Sequence, residues 1–151
     1  MHDPIEIIHE DHRKLEELFK EYEDLESSAY ESKEKLVRRI RKLMRLHMSM
    51  EEKIFYARAE DSLEGENKSI VQEGIAEHDV AQRILEELSV THPEDPQFYA
   101  RVKVLSENTA HHIMEEEEEL LPKVQEKISS EDLATLGEAM HFFRIEHEDM
   151  H

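Results

Sequence analysis

The sequence predicts an all-α protein, an up-down-up-down four-helix bundle with a short fifth helix at its C-terminal end. Three observations predict it. Glycine and proline number only 3 and 4 in 151 residues, so the chain has few places to break a helix. Charged residues make up 38% of the chain, enough to clothe the outer faces of long amphipathic helices. Apolar residues also return at spacings of three and four along five segments, the period of a stripe that faces a core.

The first helix opens at "DPIE", with Asp3 as N-cap, Pro4 at the first helical position and Glu6 closing a capping box. Its stripe runs Ile5, Ile8, His12, Leu15, Phe19, Tyr22, and "ESSAYES" at 26–32 interrupts it. The second stripe is Val37, Ile40, Met44, His47, Glu51, Ile54, broken by "EGEN" at 64–67. The third is Val71, Gly74, His78, Ala81, Leu85, Leu88, closed by "THPEDP" at 91–96. The fourth runs Phe98, Val102, Leu105, Thr109, His112, Glu116, Leu120 and stops before Pro122. A last helix opens at Ser129 or Ser130 and carries Leu133, Leu136, Met140, Phe143 and His147. With no linker of low complexity, residues 1–151 read as one domain, the bundle at about 3–126 and the fifth helix at about 129–151.

Composition narrows the function classes. A formal charge of −19 disfavours nucleic acid and anionic membranes, which select for basic patches. No run approaches the about 18 apolar residues needed to span a bilayer, and no basic-then-apolar leader is present. The cytoplasm is the expected compartment. Without cysteine there is no disulfide, thiolate ligand or thiol nucleophile. Eleven histidines are a compositional sign of metal.

The polar residues on the apolar stripes carry the chemistry. Four stripes hold a histidine near mid-helix, and two of them hold a glutamate one turn later. Each would cost several kcal/mol in an apolar interior without compensation. A single buried histidine is usually a hydrogen-bonded core residue, but six polar groups at similar heights need a shared partner. His47 with Glu51, and His112 with Glu116, lie at i and i+4 and so deliver an imidazole and a carboxylate to one point. His112 continues the fourth stripe, whereas His111 falls beside it. His12 precedes His47 by 35 positions and His78 precedes His112 by 34, so the two halves of the chain are repeated hairpins. Packed about a pseudo-twofold axis, they would gather four imidazoles and two carboxylates, a set that suits iron, manganese or zinc. In the run "HHIMEEEEELLP", Glu116 faces inward, while Glu115, Glu117, Glu118 and Glu119 are mainly a solvated face with some members free to orient the histidines.

The segments "HEDHRKLEELF", "HMSMEEKIFY", "EHDVAQRILEEL" and "HHIMEEEEELLP" resemble, in order and spacing, the hemerythrin-like HHE cation-binding family over about residues 5–122. The resemblance implies a four-helix bundle around two iron ions, bridged by carboxylates and an oxo or hydroxo group. By position, His12, His47, Glu51, His78, His112 and Glu116 match the family's metal ligands. Oxygen-carrying members have a further histidine where this chain has Gly74, leaving His9, Glu73 or Glu77 as replacements. That departure shifts the expectation from reversible O2 storage toward peroxide, nitric oxide or redox-sensing chemistry. The ligand expected is a small molecule such as O2, and the alternative reading is an iron- or oxygen-responsive sensor without turnover. No catalytic residue is identified, and the oligomeric state is open.

Three other signals are weaker. "HEDMH" at 147–151 has zinc-protease spacing but sits at a fraying end with no third ligand. Glu6/His9 and Glu138/His141 have the spacing of ferritin-like di-iron sites, at helix edges outside the six-residue cluster. The methionines at 44, 48, 50, 114 and 140 read as core filler rather than copper ligands.

Overall fold

A computed structural model describes residues 2–148. Helix α1 spans Pro4–Asp24, and α2 spans Tyr30–Met50. From α2 a π-helical turn, Glu51–Phe55, leads without interruption into α3, Tyr56–Ser62. Helix α4 is Glu66–Ser89. Helix α5, Pro96–Glu115, repeats the arrangement of α2, passing through a π turn at Glu116–Leu120 into α6, Leu121–Lys127. Helix α7 is Ser130–Glu146. The result is the expected all-helical bundle, four long rods and a shorter fifth.

Local chemistry sets the ends. The Asp3 carboxylate accepts from Ile5 N and Asp95 from Gln97 N, each followed by a proline at the first helical position. Ser129 accepts from Asp132 N and opens α7. Gly65 takes φ +60°, open to glycine at no steric cost, in the tight turn before α4.

The stripes are buried as expected, except beyond the glutamates and at Leu133 and His147 of the fifth, which are only partly buried. Beyond its glutamate the second stripe does not continue to Ile54, which is only partly buried, but to Phe55, Tyr56, Ala59 and Leu63. The π turn is the reason. It reaches back five residues, with Tyr56 N bonded to Glu51 O, and so adds one residue to the helical period. The fourth stripe behaves alike, passing from Glu116 to Leu120, Leu121, Val124 and Ile128. It therefore does not stop at Pro122, which lies inside α6 just past the widened turn, near a segment start where a missing N–H is tolerated.

Helices α1 and α2 form one hairpin, α4 and α5 the other. The apolar core is in two parts. One contains Leu15, Phe19, Ile40, Leu85, Phe98 and Leu105; the other contains Ile8, Met50, Phe55, Val71, Leu120 and Val124. The candidate polar layer lies between them. Helix α7 packs on α1 and on the first π turn, closing the second part of the core with Leu136, Met140 and Phe143. Gly137 is required there, because a Cβ would meet the His2 backbone. Met44, Met48, Met50 and Met140 are core filler as expected, but Met114 is exposed. Among the described residues no helix is long and apolar enough to cross a membrane.

Candidate metal centre

The six stripe residues meet at one level of the bundle. His12 lies one turn after Ile8 on α1, His47 near the end of α2, His78 mid-way along α4 and His112 near the end of α5. Glu51 and Glu116 each open a π turn. Asp11, His12 and Glu51 are 0% exposed and Glu116 2%. His47 Nε2 and His78 Nε2 both stand 3.1 Å from Glu51 Oε1. His12 Nε2 lies 3.1 Å from Glu116 Oε1 and His112 Nε2 3.4 Å from Glu116 Oε2. Each carboxylate thus reaches one histidine of either hairpin.

Four further carboxylates hold the other ring nitrogens. His47 Nδ1 lies 2.6 Å from Asp11 and His112 Nδ1 2.6 Å from Glu77. His12 Nδ1 lies 2.6 Å from Glu117 and His78 Nδ1 2.9 Å from Glu52. The pseudo-twofold repeats here. The residue before each first-helix histidine orients the second-helix histidine of its own hairpin. The residue after each inward glutamate orients a histidine of the opposite hairpin. A carboxylate can only accept, so each Nδ1 carries the proton and each Nε2 is the atom turned inward.

Most of the inward atoms have nothing to bond. Nε2 of His12, His47 and His78, with Glu51 Oε2 and Glu116 Oε1, are buried without a hydrogen-bond partner. The approaches of 3.1 Å therefore have hydrogen-bond length without hydrogen-bond direction. Nitrogen and carboxylate lone pairs converging in a dry interior need a proton or a metal cation among them. The separations also fit one, since donors bound at about 2.0–2.2 Å to the same ion sit about 3 Å from each other. His12, His47, Glu51 and Glu116 offer ligand atoms all within 4.8 Å of one another, and Glu51, His78 and His112 do likewise. The two groups share Glu51, and their donors fit a metal cation.

Electrostatics in the metal-free chain reflect the same crowding. Burial alone would lower His47, but Glu51 and Asp11 outweigh it and raise it to about 10. His78 and His112 are also raised against burial, His78 by the Glu51 and Glu52 carboxylates beside it and His112 chiefly by Glu116. Burial would raise Glu51, yet His47 and its hydrogen-bond partners hold it well below 4.5. Asp11 is lowered against burial by His47 and by Arg144 of α7, whose guanidinium donates to it.

Of the three replacements considered at Gly74, none stands in the gap. His9 and Glu73 are exposed, and Glu77 is taken by His112 Nδ1. The space is filled by Tyr56, whose hydroxyl is 2.9 Å from where a Cβ on Gly74 would be. Burial pushes the Tyr56 phenol well above 10, and Glu116 and Glu51 add to it. Sequence reasoning missed Tyr56 because the π turn is invisible to a helical period. It also passed over Asp11 and Glu52, though each directly neighbours a stripe residue. Within the glutamate run, Glu118 and Glu119 are exposed, while Glu115 pairs with His111 and Glu117 serves His12.

The remaining motifs stay outside. Glu6 and His9 are exposed, and Glu138 and His141 engage His2. His147 bonds to Phe143 O and stacks on the Phe143 ring, whereas residues 149–151 lie outside the described residues.

A buried cluster of histidines and glutamates, built from two repeated helical hairpins and buttressed by further carboxylates, is the donor set of a metal-binding helical bundle. The chain belongs to the hemerythrin HHE cation-binding domain family, whose sequence profile matches residues 3–124. A DNA nickase of Nostoc sp. (strain PCC 7120) is 29% identical over 126 residues, 83% of this chain but only 34% of that protein's length. The crystal structure of a hemerythrin HHE cation-binding domain-containing protein from Mycobacterium kansasii shares the fold. It has a TM-score of 0.79 at 20% identity, covering 93% of this chain and 84% of that one.

Proposed function

We propose that this chain holds two iron ions between its hairpins and binds a small ligand, O2 or a relative such as peroxide or nitric oxide, at a position the protein leaves open. The observation that carries the reading is the set of buried Nε2 and carboxylate oxygen atoms without hydrogen-bond partners. His12 and His47 would hold one ion, His78 and His112 the other, with Glu51 and Glu116 shared. Mixed imidazole and carboxylate donors accept iron and also suit manganese or zinc. When bound, an iron pair supplies exchangeable coordination positions and one-electron redox steps.

The chain's own part is to shape access. A small cavity of about 20 Å³ lies against His12, His47, His78 and His112. That is room for about one water-sized ligand. Leu15, Met44, Met48 and Ala81 make its walls apolar. A cavity of this size favours a diatomic or peroxide over a bulkier substrate.

A second reading, an iron-responsive regulatory module, draws on the Arg144–Asp11–His47 chain, which ties α7 to a candidate ligand. The nicking activity named for the Nostoc relative is not carried over, because the match spans a third of that protein and this chain bears a charge of −19.

Elemental analysis of protein purified without chelator or affinity metal tests the reading. We expect two irons per chain and an absorption spectrum that changes on adding O2, peroxide or nitric oxide to the anaerobic reduced protein. His112→Ala should lose metal. Substoichiometric zinc, or full metal retention in His112→Ala, would refute the assignment.

A further inference from the structure

The hydroxyl of Tyr56 stands among the candidate ligands rather than behind them. Tyr56 is 1% exposed and follows the first π turn, whose extra residue brings its ring round to the polar layer. Its oxygen lies 2.5 Å from Glu116 Oε2, 3.3 Å from Glu51 Oε1 and 3.4 Å from His112 Nε2. The ring stacks on His78, with centroids 5.4 Å apart and planes inclined by 22°. Gly74 makes this placement sterically available, since a Cβ there would come within 2.9 Å of the hydroxyl. In the other hairpin the residue five past the glutamate is Leu121, which offers no donor. Tyr56 therefore breaks the pseudo-twofold of the donor set.

We propose that Tyr56 is a metal ligand whose phenolate oxygen binds the ion held by His78 and His112. This rests on the metal pair proposed above. A purely structural hydroxyl needs one acceptor, and Glu116 is enough. Here the same oxygen approaches two further ligand atoms, at the spacing of neighbouring donors on one ion, about 3 Å for bonds of about 2.0–2.2 Å. On binding, the phenolic O–H bond breaks, its proton leaves to solvent and an O–metal bond forms, with no change of oxidation state. The His78–His112 ion then has five protein donors and the His12–His47 ion four. The exchangeable ligand consequently belongs on the His12–His47 ion.

The test is spectroscopic, on the full chain loaded with iron(III). A phenolate on iron(III) gives a visible charge-transfer band, and excitation in that band enhances phenolate ring vibrations, which imidazole and carboxylate ligands lack. We expect both in the wild type. Tyr56→Phe should lose both while keeping two irons per chain, and Gly74→Ala, which crowds the hydroxyl, should shift or weaken the band. Wild-type protein with two irons and no phenolate vibrations would overturn the proposal, leaving Tyr56 a hydrogen-bond donor to Glu116 and the metal pair intact. A band that survives in Tyr56→Phe would overturn it equally. Failure of the wild type to hold stoichiometric iron would remove the metal reading and this proposal with it. The wild-type vibrational spectrum decides even if Tyr56→Phe does not fold.

Discussion

Asp11 shows that the candidate centre is built on more than its proposed ligands. It is fully buried, accepts from His47 Nδ1, and is itself held by Arg144. A carboxylate in this role fixes the imidazole's tautomer and makes Nε2 more basic. Asp11→Asn keeps the shape and an acceptor oxygen but loses the charge. We expect metal affinity to fall about 10- to 100-fold, the usual range for such partners, with helicity unchanged. Glu52, which serves His78, has a side chain 38% exposed, so water can replace it. Glu52→Gln should cost distinctly less. Chelator competition on both variants checks this, and equal losses would contradict the argument from burial. The six stripe residues were legible from the sequence because burying each is costly by itself. Asp11 was not, because an acidic residue beside a stripe usually faces water. What turns it inward is Arg144, 133 positions away.

At the scale of elements, the two π turns are where the sequence reading and the structure part. A plain α-helix from Glu51 puts Ile54 in the core, whereas the structure buries Phe55, Tyr56 and Ala59. Both π turns begin at an inward glutamate, and π turns inside helices commonly mark functional sites. Their removal can be tested without disturbing the core beyond them. Deleting Glu118 would return Leu120, Leu121, Val124 and Ile128 to α-helical spacing behind Glu116, so the buried face of α6 stays in phase. The deletion removes only the widened turn that carries the glutamate. We expect near-wild-type helicity by circular dichroism together with loss of at least one ion per chain. Unchanged metal content would show that the π turn is incidental to the site. The caps at Asp3 and Ser129, by contrast, were readable from local chemistry alone, because they answer to nearby backbone N–H groups.

For the whole molecule, protons and metal compete for the same lone pairs, which fixes the sign of the pH dependence. In the metal-free chain His47 is raised from 6.5 to about 10, and His78 and His112 are also raised. A raised histidine stabilises the fold fully below its unfolded value of 6.5, and this contribution is lost as pH climbs through the folded value. Glu51 is lowered from 4.5, so its contribution is present above 4.5 and is lost as pH falls through the folded value. The cluster therefore supports the metal-free fold most strongly between pH 4.5 and 6.5 and progressively less toward pH 10. Growing self-repulsion in a chain of charge −19 acts in the same direction. Metal needs the imidazoles deprotonated at Nε2, so its affinity rises over the same interval and binding releases protons. At metal a hundredfold above its dissociation constant, binding adds about 2.7 kcal/mol. At about 2–4 °C per kcal/mol for a chain of this size, that is roughly 5–11 °C in Tm. We expect the gap between metal-loaded and metal-free melting temperatures to widen from pH 6 to pH 9, with the metal-free curve falling. Calorimetry at neutral pH in buffers of different ionisation enthalpy should register at least one proton released per chain, from His47. A gap that narrows with rising pH would mean the ions do not bind at these histidines.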